Sequence, residues 1–388
     1  MNLIYFDNAA TTWPKPKETF RSMMQSQRAG GGSPGRSAHR SSIEAARIIY
    51  DTREVIAHFF GVIDPCRIVF TKNATEALNI AIMGLLKNGD HCVTSSMEHN
   101  SILRPLRFLE ATRNIKISII SAHADGTIDP SLIEKSLRPK TRLLILGHAS
   151  NVTGTIAPIQ EVGAMARKHG VHFLVDAAQT AGSLPIDVES MKIDLLAFTG
   201  HKSLFGPQGT GGLYIREGLD ATIAPLMAGG TGSRSESEEQ PDFMPDKYES
   251  GTPNTIGLAG LKAGISFIQK KGIDAIHKKE QSLLKYFLSG LRKLPGIKLY
   301  GPAGIEDRIA VASFNIEGMA SSEAAFSLDE KYGILCRPGL HCAPAAHRSI
   351  GTFPRGTLRF GFGYYNTLSQ VEYALKALEE ISQKNKKH

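Results

Sequence analysis

Cysteine is scarce in this 388-residue chain: Cys66, Cys92, Cys336 and Cys342 are too few and too scattered for a disulfide framework. A special one among them would be a reactive thiol or a metal ligand rather than a staple. No apolar run reaches transmembrane length, and the N-terminus, MNLIYFDNAATTWPKP, has neither a basic start nor a signal-like apolar stretch. A cytoplasmic protein without a membrane partner is the expectation. No GK[ST] triplet offers a P-loop, and GTGGLY breaks the dinucleotide fingerprint at its last glycine. GGSPG at 31–35 has the GxSxG spacing, but it follows a helical stretch instead of a strand, so a hydrolase elbow is excluded. The excess of positive charge is modest, +8, and part of it sits in the tail KNKKH. No basic helix is interleaved with aromatics, so nucleic acid is not an expected partner. Internal repeats and low-complexity tracts are also missing.

What is present reads as an ordinary globular protein. With 388 residues and 41% hydrophobic content, two packed cores are expected rather than one. CRIVFTKNAT reads as a strand feeding the helix TEALNIAIMGLL. HCVTSSM, IKISIIS, RLLILGHAS, VHFLVDAAQ, DLLAFTG and GGLYIR follow, several of them separated by helix-length segments such as PIQEVGAMARKHG. That alternation implies an α/β fold with a mainly parallel, helix-covered sheet. Residues 228–250 are polar and rich in glycine and proline, the signature of a long surface loop. From Ile256 the pattern changes to two amphipathic helices, near 256–270 and 273–293. Short strands (IKLYG, IAVASFNIEG, ILCRPG, GTLRFGFG) come next, and then a last helix after Thr367, whose TLSQ is a capping box. The expected division is a large unit, 15–255, and a small α+β unit formed by 1–14 with 256–388.

Ligands of open α/β sheets bind beyond the carboxyl ends of the strands, so the residues that end the strands are the ones to collect. HFLVD ends at Asp176, followed by Gln179. LLAFT ends at Thr199, followed by His201 and Lys202. LLILGHAS leads to Asn151, and CVTSSMEH to His99. After the first strand, Asn73 and Glu76 form a possible capping pair, and the exposed N–H groups of Ala74 and Thr75 suit a phosphate. Taken singly, each has a plain structural reading: Lys202 as a stem packed under a solvated ammonium, Asp176 as a helix cap, His99 as a satisfied core histidine, Thr75 as an N-cap. Together, a lysine, a carboxylate, a phosphate cradle and a stacking imidazole describe a site for pyridoxal phosphate, in which a desolvated amine condenses with the carbonyl and an aspartate keeps the ring nitrogen protonated.

The stretches YFDNAATT, TKNATEA, EHNS, SNVTGT, VDAAQ, TGHKSLFGPQGTGGLY, YESGTPN and RPGLHCA, in this order and across nearly the whole chain, resemble the cysteine desulfurase and selenocysteine lyase family of class V aminotransferase-fold enzymes. The resemblance implies pyridoxal phosphate as cofactor and a fold type I large domain with a seven-stranded-type sheet. It also implies that Lys202 carries the cofactor, Asp176 pairs with the pyridine nitrogen, Gln179 bonds the ring oxygen and His99 stacks on the ring. Thr75, Thr199 and His201 would hold the phosphate, with Thr252 reaching in from the second subunit of a homodimer.

In the C-terminal part, Arg359 matches the arginine that binds the substrate carboxylate, a task suited to a planar two-pronged donor, and Asn151 is assigned to the same substrate site. Cys342, between His341 and Ala343 in CRPGLHCAP, would be the nucleophile that takes sulfur from cysteine, or selenium from selenocysteine, with release of alanine, before passing it to an acceptor protein. Lys202 is the expected proton carrier and His99 its acid/base helper. Where the group with a short cysteine segment has two histidines before its cysteine, this chain has Leu340 and His341. A zinc reading of Cys336, Cys342, His341 and His347 lacks paired CxxC spacing, and no metal is expected. Two other readings stay open: an aminotransferase or lyase in which Cys342 is a bystander, and a protein that retains the cofactor without turnover.

Overall fold

The computed structural model describes residues 3–28, 32–35 and 39–385, so GGSPG, the loop GRSAHR and the basic tail lie partly outside the described residues. After a short N-terminal strand, β1 (Ile4–Tyr5), seven strands form one large sheet: β2 (Ile68–Thr71), β3 (His91–Ser95), β4 (Lys116–Ile120), β5 (Thr141–Gly147), β6 (His172–Asp176), β7 (Leu195–Thr199) and β8 (Gly211–Ile215). Their order is β2-β8-β7-β6-β5-β3-β4. Only β8 runs against the others, so the sheet is mainly parallel, as the alternation of strands and helices implied. Strands β3, β7 and β8 are buried at every residue, which is why they read as continuous apolar runs without polar alternation.

Helices α1 (Lys17–Arg28), α2 (Arg40–Phe59), α3 (Ala74–Leu85), α4 (Asn100–Arg113), α5 (Pro130–Ser136) and α6 (Ile159–Lys168) precede or interrupt these strands. Two apolar layers result. In β6, Phe173 and Val175 join the layer containing Phe60 and Phe198, whereas Leu174 joins the one containing Leu78, Leu106 and Leu213. The two-residue period of the strand sends alternate side chains into opposite layers. Of the next two helices, α7 (Thr255–Lys271) and α8 (Ile273–Leu291), the first packs on α1 and α2 and places Leu261 and Ile265 in the same layer as Phe205. The change of sequence pattern at Ile256 therefore starts a helix that still belongs to the core of the large sheet.

The remaining strands are β9 (Ile297–Tyr300), β10 (Val311–Ile316), β11 (Ile334–Leu335), β12 (Arg337–Gly339) and β13 (Thr357–Gly361), with helices α9 (Ser321–Tyr332), α10 (Pro344–Ser349) and α11 (Leu368–Asn385) among and after them. Four of these strands form an antiparallel sheet, β12-β13-β10-β9. Phe360 is the centre of its core, with ring centroids 5.1 Å from both Phe6 and Phe287. The N-terminal segment is bound to this C-terminal region: β1 pairs in parallel with β11, and the Asn8 N–H donates to the Gly361 carbonyl. Reciprocal bonds between Thr367 and Gln370 at the start of α11 form the capping box read from TLSQ.

The aromatic cluster and the cap differ in expected weight. Phe360→Ala should cost about 3–5 kcal/mol of stability through cavity formation, and Thr367→Ala about 1 kcal/mol through loss of the cap. Urea unfolding midpoints of the two variants measure that difference.

Candidate active site

The carboxyl edge of the large sheet and strands β12 and β13 of the C-terminal sheet enclose a cavity of about 240 Å³. Its depth is built by β6 and β7. Asp176, the last residue of β6, is buried, and its Oδ1 accepts a 2.9 Å bond from the Ala178 N–H. Burial raises its carboxyl above the usual aspartate range, while the Ala178 N–H and the Lys202 charge pull it back. Lys202 stands on the turn that leaves β7. Burial lowers its ammonium to about 8, opposed by Asp176 and reinforced by the guanidinium groups of Arg359 and Arg337. An amine in that range is partly neutral near physiological pH, the condition for attack on a carbonyl. The turn itself requires glycine, since a Cβ on Gly200 would meet Thr210 Oγ1 at 2.1 Å.

His99 is both a wall and a cap. Its Nδ1 accepts a 3.1 Å bond from the Ser101 N–H at the start of α4, which places the ring hydrogen of the neutral imidazole on Nε2. Burial, then the charges of Lys202 and Arg337, lower it to about 4. At the opposite corner, α3 begins with the Asn73 side chain accepting from the Glu76 N–H, while Glu76 accepts from Lys72 N rather than from Asn73. The first-turn N–H groups of Ala74 and Thr75 have no intrahelical acceptor. Thr199 and His201 line the same cavity, and Thr199 Oγ1 and His201 Nδ1 are buried with no hydrogen-bond partner among the described residues. Burial lowers His201 to about 4. Unsatisfied donors gathered at a helix N-terminus match the needs of a phosphate. Gln179 donates to the Ala9 carbonyl at 3.1 Å and also faces the cavity.

On the C-terminal side, Arg359 is only 1% exposed. Its Nη1 donates to the Asn151 carbonyl and its Nη2 to Asp7 Oδ1, both at 2.9 Å, while Nε is buried with no partner among the described residues. Asn151 Nδ2 donates to the His341 carbonyl at 2.7 Å. The family model for class-V aminotransferases matches residues 4–374, which spans both sheets and every residue of this cavity.

The chain belongs to the class-V aminotransferase family. It is 38% identical to a probable cysteine desulfurase of Pyrococcus abyssi, with 98% of this chain and 94% of that protein covered. It is 32% identical to a cysteine desulfurase of Serratia proteamaculans over 98% of this chain and 93% of that protein. The solved apo structure of a cysteine desulfurase from Thermococcus onnurineus NA1 superposes with a TM-score of 0.93 at 36% identity, covering 98% and 95% of the two chains. These likenesses agree with the seven-stranded sheet and with the family resemblance carried by the sequence motifs.

Within this class-V site, the structure gathers Lys202, Asp176, Gln179, His99, Ala74, Thr75, Thr199, His201, Asn151 and Arg359 around one cavity. Cys342 lies just outside. It lines an adjoining recess of about 410 Å³ whose walls include Thr75, His99 and Ser101 of the inner cavity, together with Arg104 and Phe108. The thiol is exposed, and Arg337 Nη2 donates to Sγ at 3.5 Å. His341 and Cys342 both adopt the left-handed region, φ 48° and 58°, a strained pair held by the bond from the Asn100 N–H to the Cys342 carbonyl at 2.8 Å. The other three cysteines are less accessible, and burial pushes their thiols upward. Among the described residues no three metal-ligating side chains converge. His341 and His347 bond instead to Thr357 and Thr352. Thr252 is exposed and lines different recesses, so within one chain it does not reach the cavity.

Two ionisable residues of the cavity, Arg337 and Glu98, carry no sequence signal of their own. Arg337 stands in RPGLHCA, the segment that carries Cys342. Glu98, next to His99, is 2% exposed; its carboxyl accepts from Ser95 Oγ at 2.5 Å and from Gly147 N at 2.8 Å. Gly147 is the register partner of Asp176, so Glu98 joins the end of β3 to the strand beside the buried aspartate. Burial raises Glu98 from 4.5 to about 8. A carboxyl raised on folding favours the folded state while protonated and loses that advantage as pH rises toward the folded value. Glu98→Gln does not titrate. Wild-type stability relative to Glu98→Gln should therefore decline between about pH 4.5 and about pH 8, then level off, as read from urea midpoints of both proteins across that range.

Proposed function

We propose that the protein is a pyridoxal-phosphate-dependent cysteine desulfurase that moves sulfur from L-cysteine, or selenium from L-selenocysteine, onto Cys342 and releases L-alanine. The supporting observation is the position of Cys342: an exposed thiol in contact with Arg337, in a recess that shares its wall with the cavity of Lys202, within a chain whose full-length relatives are named cysteine desulfurases.

The residues present fit the cofactor. The unsatisfied Thr199 Oγ1 and His201 Nδ1, with Thr75 and the N–H groups of Ala74 and Thr75, would hold its phosphate. Asp176 would face the ring nitrogen, Gln179 the ring oxygen and His99 the ring plane. When bound through Lys202, pyridoxal phosphate supplies an electron sink for charge developing at the substrate Cα. Everything else is done by side chains. Arg359 and Asn151 hold the substrate carboxylate. Lys202, with its lowered affinity for protons, takes the Cα proton and returns it. His99, whose Nδ1 is occupied by the Ser101 N–H, has only Nε2 to offer as an acid/base helper. The Cys342 sulfur forms a bond to the substrate sulfur as the Cβ–S bond breaks. Carbon keeps the electron pair and takes a proton, leaving a persulfide on Cys342 and alanine as product.

A two-unit division of labour is part of this reading, with 15–255, whose core α7 joins, carrying the cofactor, and 1–14 with the rest of 256–388 carrying Arg359 and Cys342. So is a cytoplasmic homodimer in which the partner subunit's Thr252 completes the phosphate pocket. The persulfide would pass to an acceptor protein. No described helix is long and apolar enough to cross a membrane.

Incubation of the holoenzyme with L-cysteine and a reductant, with sulfide and alanine measured together, tests the proposal. Equal amounts of both products are expected, with loss of at least about a hundredfold in rate for Cys342→Ala. Pyruvate in place of alanine, or full activity in Cys342→Ala, would favour a different lyase or an aminotransferase in which the thiol is a bystander.

A further inference from the structure

Asp7 occupies a position that the desulfurase reading does not use. It is the one carboxylate within ion-pair distance of Arg359 among the described residues, at 2.9 Å. The guanidinium it meets is buried, and a buried cation without an anion is costly. Asp7 is not free to swing away. The backbone on either side of it is tied to β13, because the Gly361 N–H donates to the Phe6 carbonyl and the Asn8 N–H to the Gly361 carbonyl. The Tyr5 hydroxyl and the Ala10 N–H both donate to the Asp7 carbonyl. Between Asp7 and the Asn151 carbonyl, both terminal nitrogens of Arg359 are held, which fixes the plane of the group.

A second guanidinium faces the same space. Arg337 is the register partner of Arg359 across β12 and β13, lines the same cavity, and has no carboxylate within ion-pair distance among the described residues. Two arginines and one fixed carboxylate leave a single net positive charge at this end of the cavity. Deeper in, Lys202 is matched by Asp176, and Glu98 is neutral near pH 7.

We propose that Asp7 is a specificity-determining residue: as the fixed counter-ion of Arg359, it matches the substrate end of the cavity to an amino acid with one carboxylate and disfavours those bearing a second acidic group. The inference rests on the assignment of Arg359 to the substrate carboxylate. Arg337, beside the Cys342 sulfur, lies where the substrate side chain must point for sulfur transfer, so a dicarboxylic amino acid would bring its second anion there. With Asp7 already present, that anion would be in excess of the available positive charge.

The test is a titration of the holoenzyme with L-alanine and L-aspartate, followed by the absorbance of the bound cofactor, which reads binding without sulfur transfer. Asp7→Asn keeps an oxygen acceptor for Arg359 and removes the charge. It should improve aspartate affinity relative to alanine by about tenfold, because one repulsive charge is lost near the second carboxylate. Asp7→Ser, a second neutral replacement, should shift the ratio the same way, and Asp7→Glu should keep the wild-type ratio. An unchanged ratio in both neutral variants, or the same shift in Asp7→Glu, would overturn the inference. Arg359→Lys separates the two levels: weaker binding of both ligands is expected, whereas unchanged binding of both would remove the carboxylate assignment and this inference with it.

Discussion

The desolvation of the Lys202 amine at the carboxyl edge of the sheet is the constraint on which the rest of the site depends. An ammonium in a cavity that excludes water is disfavoured, and Asp176 only partly offsets that cost. The surroundings are selected accordingly. Gly200 lets the turn pass against Thr210, and β6 carries Asp176 to the same depth by parallel pairing with β7. His99 and His201 remain neutral, so they add no further positive charge beside the amine. Each of these features comes from burial at the ends of central strands, where a parallel sheet leaves a crevice open to ligands.

The second half of the site comes from distant parts of the chain. The N-terminal segment pairs with β11 and β13, bringing Asp7 to Arg359, while the Thr12 N–H and the Lys15 ammonium bind the His201 carbonyl. Arg359 binds the Asn151 carbonyl, and Asn100 binds the carbonyl of Cys342. The strained turn at His341 and Cys342 is thereby tied to the start of α4, the helix that His99 caps. Moving the backbone that carries the thiol thus means breaking a bond that ends one residue from the imidazole. The geometry couples the position of the nucleophile to the wall of the cofactor cavity.

Much of this was legible in the sequence for physical reasons. The buried strands announce themselves as apolar runs, and their ends carry Asp176, Thr199 and Lys202 in motifs dense enough to specify a family. The capping box at Thr367 is local and reads directly. Glu98 and Arg337 stand in EHNS and RPGLHCA without a signal of their own: what distinguishes Glu98 is burial beside Gly147, and what distinguishes Arg337 is its register with Arg359. Those are properties of strand packing that no spacing encodes. The assignment of α7 shows the same limit. Its amphipathic pattern fixed the helix but not which of two cores its apolar face would join. Helix α10 leaves no mark in the sequence because six residues are too short to show a period.

A covalent bond between Lys202 and the cofactor is the central claim, and trapping it is the most direct measurement. The purified protein, supplied with pyridoxal phosphate, is treated with borohydride and digested, and the labelled peptide is mapped. Attachment to Lys202, in the segment LLAFTGHKSLFGPQG, with no label in Lys202→Ala, is the predicted result. Attachment to another lysine, or a protein that stays colourless with the cofactor in excess, would contradict it.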